Sequence, residues 1–335
     1  MKRMVFTVLF VLHLQLTAAD FRTVGKIERL SPNLDKLLPA DAVIEVLAEG
    51  FDWSEGPVWV KDGGYLLFND IPQNTCWRWD EERGLSIYLR PAGYALGDNP
   101  PGRELGCNGL YIHPQTGRLV LCDHGNRCIA QLNTENWTKS VLADRFEGKR
   151  FNSPNDLVIS RSGHIYFTDP PYGLKDLNAN PTKELPFSGV FHLAPDGRIS
   201  LVTKELPFPN GIHLSPDEKT LYVANSGQEA IWMAFDVAED GSTSNGRIFY
   251  DAGELRRAGR WGGCDGMTVD QYGNLWATGP GGVLILSPKA ELLGIIAVGE
   301  ATSNCCFGGP DGSSLFITAD MLLCRVKTKV KGAGF

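Results

Sequence analysis

One pattern recurs six times along this chain of 335 residues: an acidic or amide side chain stands at the head of an apolar run. The copies are "EGPVWV" at Glu55, "NGLYIH" at Asn108, "NDLVIS" at Asn155, "NGIHLS" at Asn210, "DGMTVD" at Asp265 and "NCCFGG" at Asn304, spaced by 53, 47, 55, 55 and 39 residues. A turn follows each copy ("KDGG", "HPQTG", "SRSG", "SPDEK", "DQYG", "GPDGS"), then a second apolar run: "YLLFND", "RLVLCD", "HIYFTD", "TLYVAN", "NLWAT" and "SLFITA". Their β-branched and aromatic content, with short loops between, makes each pair a hairpin. The second runs end at Asp70, Asp123, Asp169, Asn225, Thr278 and Ala319, each 13 to 15 residues beyond its anchor. A register held over six copies marks a repeat architecture.

Further strands follow most hairpins: "GVFHLA" and "ISLVTK", "AIWMAFDV" and "GRIFYD", "GVLILS" and "LLGIIAV". Each unit therefore holds about four antiparallel strands, and six units of about 40–55 residues describe an all-β, six-bladed β-propeller around a central channel. The segment "AVIEVLAEG" (42–50) precedes the first anchor, while the last unit stops one strand short at "LLCRVKTK". Val43–Ala48 is expected to complete the sixth blade, closing the ring with both ends of the chain and leaving no free edge. A two-sheet sandwich is the competing fold, but it does not explain a sixfold register.

Residues 20–335 then form one domain. The first 19 read as a secretory signal: Lys2 and Arg3, an apolar run from Met4 to Thr17, and small residues at Ala18 and Ala19. The run is shorter than the roughly 20 apolar residues of a membrane span. The expected location is secreted or periplasmic, with no membrane attachment after cleavage. Loss of Lys2 and Arg3 takes the net charge from −7 to −9, which excludes a nucleic-acid footprint. In an exported protein some of the eight cysteines are candidates for pairing, and Cys122 and Cys128 flank a turn that a bridge could span. Oligomeric state is not legible.

In a propeller the first strand of each blade lines the channel, so the six anchors meet on one face near the axis. The ring carries two carboxylates, Glu55 and Asp265, and four amides, Asn108, Asn155, Asn210 and Asn304. A single Asn-Gly or Asp-Gly is an ordinary turn dipeptide; six in register form a site. Two carboxylates in a narrow channel repel one another and resist desolvation, and a divalent cation relieves both. All-oxygen ligation favours Ca²⁺ or Mg²⁺, with Mn²⁺ or Zn²⁺ as alternatives. Asp70, Asp123, Asp169 and Asn225 return to the same face, either as supports for the ring or as caps of loops.

"FDWSEGPVWVKDGGYLLFNDIPQNTCWRW", "GKRFNSPNDLVISRSGHIYFTDPPYG", "PNGIHLSPDEKTLYVANS" and "CDGMTVDQYGNLWAT" together resemble the gluconolactonase/regucalcin-like family of six-bladed propellers, from about Phe51 to Val326. Members of that family, and the related diisopropylfluorophosphatase, hold a divalent metal in the channel. The resemblance implies metal ligation by Glu55, Asn210 and Asp265. It gives Asn155 a part in metal or substrate binding and makes Asn108 a substrate contact. "LCDHGNRC" resembles an acid-His-…-Arg segment of bacterial gluconolactonases and points to His124 and Arg127 as substrate-facing, with Asp123 where many members have glutamate. "DPPYG" places Tyr172 over the mouth.

The implied activity is hydrolysis of a small sugar lactone such as glucono-1,5-lactone, with a divalent cation, Ca²⁺ first, polarising the carbonyl and Asp265 as general base. Metal ligation weakens a carboxylate as a base, so orientation of water or a covalent role for Asp265 stays open. A related esterase or organophosphate hydrolase, or a non-catalytic propeller with a structural ion, are the competing functions. HExxH, G-x-S-x-G and P-loop signatures are absent.

Overall fold

The structure, a computed structural model, describes residues 21–95 and 102–335. Six antiparallel sheets span 54–89, 107–143, 157–203, 209–251, 267–297 and 302–327. Their first strands touch in cyclic order, the sixth returning to the first, so the sheets form the ring of a six-bladed propeller. The first strand of each blade is innermost: Ser54–Val60, Cys107–Ile112, Leu157–Ile159, Pro209–Leu214, Met267–Val269 and Thr302–Gly308. The expected signal segment, residues 1–19, lies outside the described residues. Among those described, no helix is long and apolar enough to cross a membrane.

Burial explains why the second runs read as continuous apolar stretches. The second strands Leu119–Asp123, Ile165–Asp169, Leu275–Gly279 and Ser314–Ala319 are buried along their whole length, packed by neighbouring blades on both faces. The outermost strand of the fourth blade, Thr243–Asp251, is mostly exposed or half-buried. Between blades lie large side chains such as Trp232, Trp276, Tyr166, Phe167, Phe191 and Phe316, all fully buried. Each contributes on the order of 2–3 kcal/mol through lost apolar exposure.

Ile44–Glu49 pairs antiparallel with Leu322–Lys327, with Glu49 opposite Leu322 and Glu45 opposite Arg325, so an N-terminal strand closes the sixth blade. The N-terminal segment also does something the sequence did not announce. Lys26–Arg29 adds a fifth strand to the fifth blade, and Thr23–Val24 lies outside the closing strand. All eight cysteines are free, seven of them buried. No bridge spans the hairpin between Cys122 and Cys128. The two are out of register across the ladder, and their side chains pack in different inter-blade cores.

Candidate active site at the propeller axis

The anchors are drawn together by the residue that follows them. Gly56, Gly109, Gly211 and Gly266 each sit against the next blade's anchor. A Cβ at Gly56 would overlap the Asn108 carbonyl, one at Gly211 the Asp265 carbonyl, and one at Gly266 the Asn304 side chain. Hydrogen bonds lock the same contacts. Gly109 N–H donates to Asn155 O at 2.8 Å and Gly266 N–H to Ser303 O at 2.7 Å. From the second strands, Asn69 Nδ2 donates to Asn108 O at 2.6 Å and Thr168 Oγ1 to Asn210 O at 2.7 Å. Ser303 Oγ donates to Ser54 O at 2.6 Å, joining the last blade to the first.

The acids and amides that end the second strands hold the loops leading to the anchors. Asp70 accepts from the N–H groups of Asp52 and Trp53, Asp169 from those of Asn152 and Ser153 at 2.7 and 2.8 Å, and Asn225 from that of Phe208. Burial pushes the Asp169 carboxyl up to about 7. Asp123 differs: it accepts from Asn126 and pairs with Lys139.

At the axis stand Glu55, Asn108, Asn155, Asn210, Asp265 and Asn304, all buried except Asp265, which is half-buried. Asn304 Nδ2 donates to Glu55 Oε2 at 3.2 Å, and Gly56 N–H donates to the same oxygen at 2.6 Å. Glu55 lies near enough to Asp265 for its charge to push the Asp265 carboxyl up. Asn210 Nδ2 donates to Ser226 Oγ at 2.9 Å, and Ser226 in turn bonds the carbonyl of Cys264, next to Asp265.

A third carboxylate, Asp156, joins them. Its charge acts on both Glu55 and Asp265. It accepts from its neighbour Leu157 N–H at 2.9 Å, and Ile212 N–H of the next blade lies 3.4 Å from its other oxygen. The sequence reading missed it, although a signal was present: Asp156 occupies the third blade's version of the column that is glycine in four others. Burial, then the charge of Asp156, pushes Glu55 up to about 8; burial pushes Asp156 up to about 7. Asp265 is held well above the usual carboxylate range by burial and by its two acidic neighbours.

This donor set suits a hard cation. Three carboxyl groups act on one another through their charge, and among the described residues Asp265 Oδ1 and Asn108 Oδ1 have no hydrogen-bond partner. Acceptors gathered without donors are satisfied by protons or by a metal ion. Among the described residues no group of three His, Cys, Asp or Glu side chains is placed to hold a metal ion, so a cation here would need the amide oxygens as well.

Of the other expected residues, Tyr172 and His124 lie near acidic groups of the site, whereas Arg127, expected to face substrate, does not. Tyr172 is half-buried, stacks on Phe208 with ring centroids 5.6 Å apart, and feels the charges of Asp265 and Glu104. Burial raises its phenol. His124 is buried, with Nδ1 3.1 Å from Glu104 Oε2. Arg127 turns into the protein: Nε donates to Phe151 O at 2.7 Å and Nη1 to Thr182 O at 3.1 Å, tying its hairpin to the third blade.

Comparison with known proteins agrees with this fold. The model of the SMP-30/gluconolactonase/LRE-like region matches residues 53–320. The chain belongs to that family. It is 45% identical over 317 residues to a gluconolactonase of Zymomonas mobilis subsp. mobilis, covering 92% of this chain and 88% of that one. It is 28% identical to regucalcin of Xenopus laevis, over 82% of this chain and 85% of the relative. A solved gluconolactonase structure from Xanthomonas campestris superposes with a TM-score of 0.79 at 30% identity, covering 93% of this chain and 98% of its own.

Proposed function

We propose that this family member hydrolyses a sugar lactone at the propeller axis, with one divalent cation held by Glu55, Asn155, Asn210 and Asp265. The observation that carries the reading is the gathering of three carboxyl groups, two buried and one half-buried, with unpartnered acceptor oxygens, in a chain whose relatives include named gluconolactonases. The cation, Ca²⁺ before Mg²⁺, Mn²⁺ or Zn²⁺, supplies Lewis-acid polarisation of the lactone carbonyl.

The protein's own groups account for the rest. Asp265, whose Oδ1 lacks a partner among the described residues, takes a proton from the water that attacks the carbonyl carbon. The ring C–O bond breaks, the leaving oxygen gains a proton, and an open-chain hydroxy acid results. Asn108 and Asn155 orient the substrate, and Tyr172 narrows the mouth above it. Glu55 and Asp156, whose carboxyls burial holds up, would give up their protons to a bound cation and offset its charge. We also propose that residues 1–19 direct export to the periplasm or beyond; the N-terminal sequence of the protein from the native host tests this, with Asp20 as the expected first residue.

A lactone panel assayed across several metals tests the activity. Glucono-1,5-lactone is expected to be hydrolysed by metal-loaded protein, and chelation or Asp265→Asn is expected to abolish turnover while the fold persists. Metal-bound protein inert towards every lactone contradicts the proposal.

A further inference from the structure

Resting on the lactonase reading and deepening it, we propose that His124 and Glu104 form a hydroxyl-recognising pair at the channel mouth. His124 Nε2 accepts a hydrogen bond from a hydroxyl of a polyhydroxylated lactone, and Glu104 is the positioning residue that keeps this nitrogen free to accept.

The His124 side chain is 0% exposed, Nδ1 lies 3.1 Å from Glu104 Oε2, and Nε2 has no partner among the described residues. The other oxygen of Glu104 receives Arg103 Nη2 at 3.0 Å. A carboxylate paired with a guanidinium accepts rather than donates. Nδ1 therefore carries the hydrogen, and Nε2 bears the lone pair. A buried acceptor without a protein donor is uncommon in a folded protein and is met by a bound water or by a ligand hydroxyl.

The setting is the channel mouth. His124 directly follows Leu119–Asp123, which pairs with the inner strand starting Cys107–Asn108. Glu104 acts by its charge on both Glu55 and Tyr172. The segment that carries it is clamped over the Tyr172 turn: Arg103 Nε donates to Tyr172 O at 2.9 Å, and Arg103 N–H to Gly173 O at 3.1 Å. A Cβ at Gly173 would stand 3.3 Å from His124 Cγ, so the turn lies directly against the imidazole. A molecule rich in O–H donors is the fitting ligand, because a bare lactone ring has nothing to donate to Nε2.

The test uses the full chain, metal-supplemented, with two lactones that share a ring size: glucono-1,5-lactone and δ-valerolactone, which has no hydroxyls. Glu104→Ala is expected to lower the ratio of kcat/KM for the hydroxylated over the bare lactone about tenfold, mainly through KM. Glu104→Gln, whose Oε1 accepts the same Nδ1–H, restores most of the ratio. A parallel fall on both lactones, or an unchanged ratio, overturns the pair. A second readout needs no turnover. In ¹⁵N spectra of the imidazoles, His124 is expected as the Nδ1–H tautomer, with its Nε2 resonance moved by gluconate in the parent and not in Glu104→Ala. An Nε2 signal insensitive to gluconate overturns the proposal. If neither lactone is turned over, the lactonase reading fails on its own and the gluconate spectrum still decides the pair.

Discussion

Gly211 has room for nothing beyond a hydrogen, because the carbonyl of Asp265 and Gly266 Cα, 2.7 Å away, occupy the place of a Cβ. Gly211→Ala is expected to force the fourth and fifth blades apart at the axis. It should destabilise the protein by about 1–3 kcal/mol and reduce lactone turnover, because the anchors Asn210 and Asp265 flank the contact. Urea unfolding beside an activity assay checks this, and an unshifted midpoint contradicts it. The same column explains what the sequence showed and hid at this scale. Glu55, Asn108, Asn155, Asn210, Asp265 and Asn304 were legible because a sixfold register repeats them. Asp156 was not, because beside Asn155 it looks like part of an Asn-Asp turn. Glu104 was hidden for another reason: it belongs to an irregular segment between the first and second blades, where no periodicity points to a role.

The blades carry their own electrostatics. In the third, His192 on Gly189–Leu193 receives or donates a 2.8 Å bond with His164, lies 3.2 Å from Ser200 Oγ and stacks on Tyr166. Burial, then the nearby charge of His164, pushes His192 down to about 4. The unfolded chain takes up this proton near pH 6.5, earlier than the folded one as pH falls. Its contribution to stability is thus full above about 6.5 and lost as pH drops towards about 4. His192→Gln is expected to flatten the acid side of the melting-temperature profile over that window. Equal slopes in parent and variant sink the assignment. Element identity was mostly readable. The second strands declared themselves by unbroken apolar runs that two flanking blades bury, and the closing strand by its position before the first anchor. Lys26–Arg29 did not: four residues of mixed polarity on a blade edge carry no pattern, and only packing against Leu292–Ala297 makes them a strand.

Across the whole molecule, one side chain ties together the seam that the strand ladder closes. Arg325 of the sixth blade is 6% exposed at its side chain and bonds Glu45 of the closing strand at 2.7 Å and Glu81 of the first blade at 2.6 Å. Its guanidinium also lies 5.7 Å from the Trp79 ring centre. Arg325→Ala leaves Glu45 half-buried without its partner and opens a gap at the seam. A loss of about 2–3 kcal/mol is expected, discounted from a fully buried pair because Glu81 is exposed. Thermal unfolding measures it, and a change within a few tenths of a kcal/mol would show the seam held by the strand ladder alone. Closure in turn keeps Glu55 of the first blade beside Asp265 and Asn304 of the last two, on which the account rests. Calorimetric titration of chelator-stripped protein with Ca²⁺ tests that convergence most directly. The account predicts one ion bound per chain, with binding abolished in both Glu55→Gln and Asp265→Asn while each variant stays folded. Equal Ca²⁺ binding by parent and variants, or none by the folded parent, contradicts it.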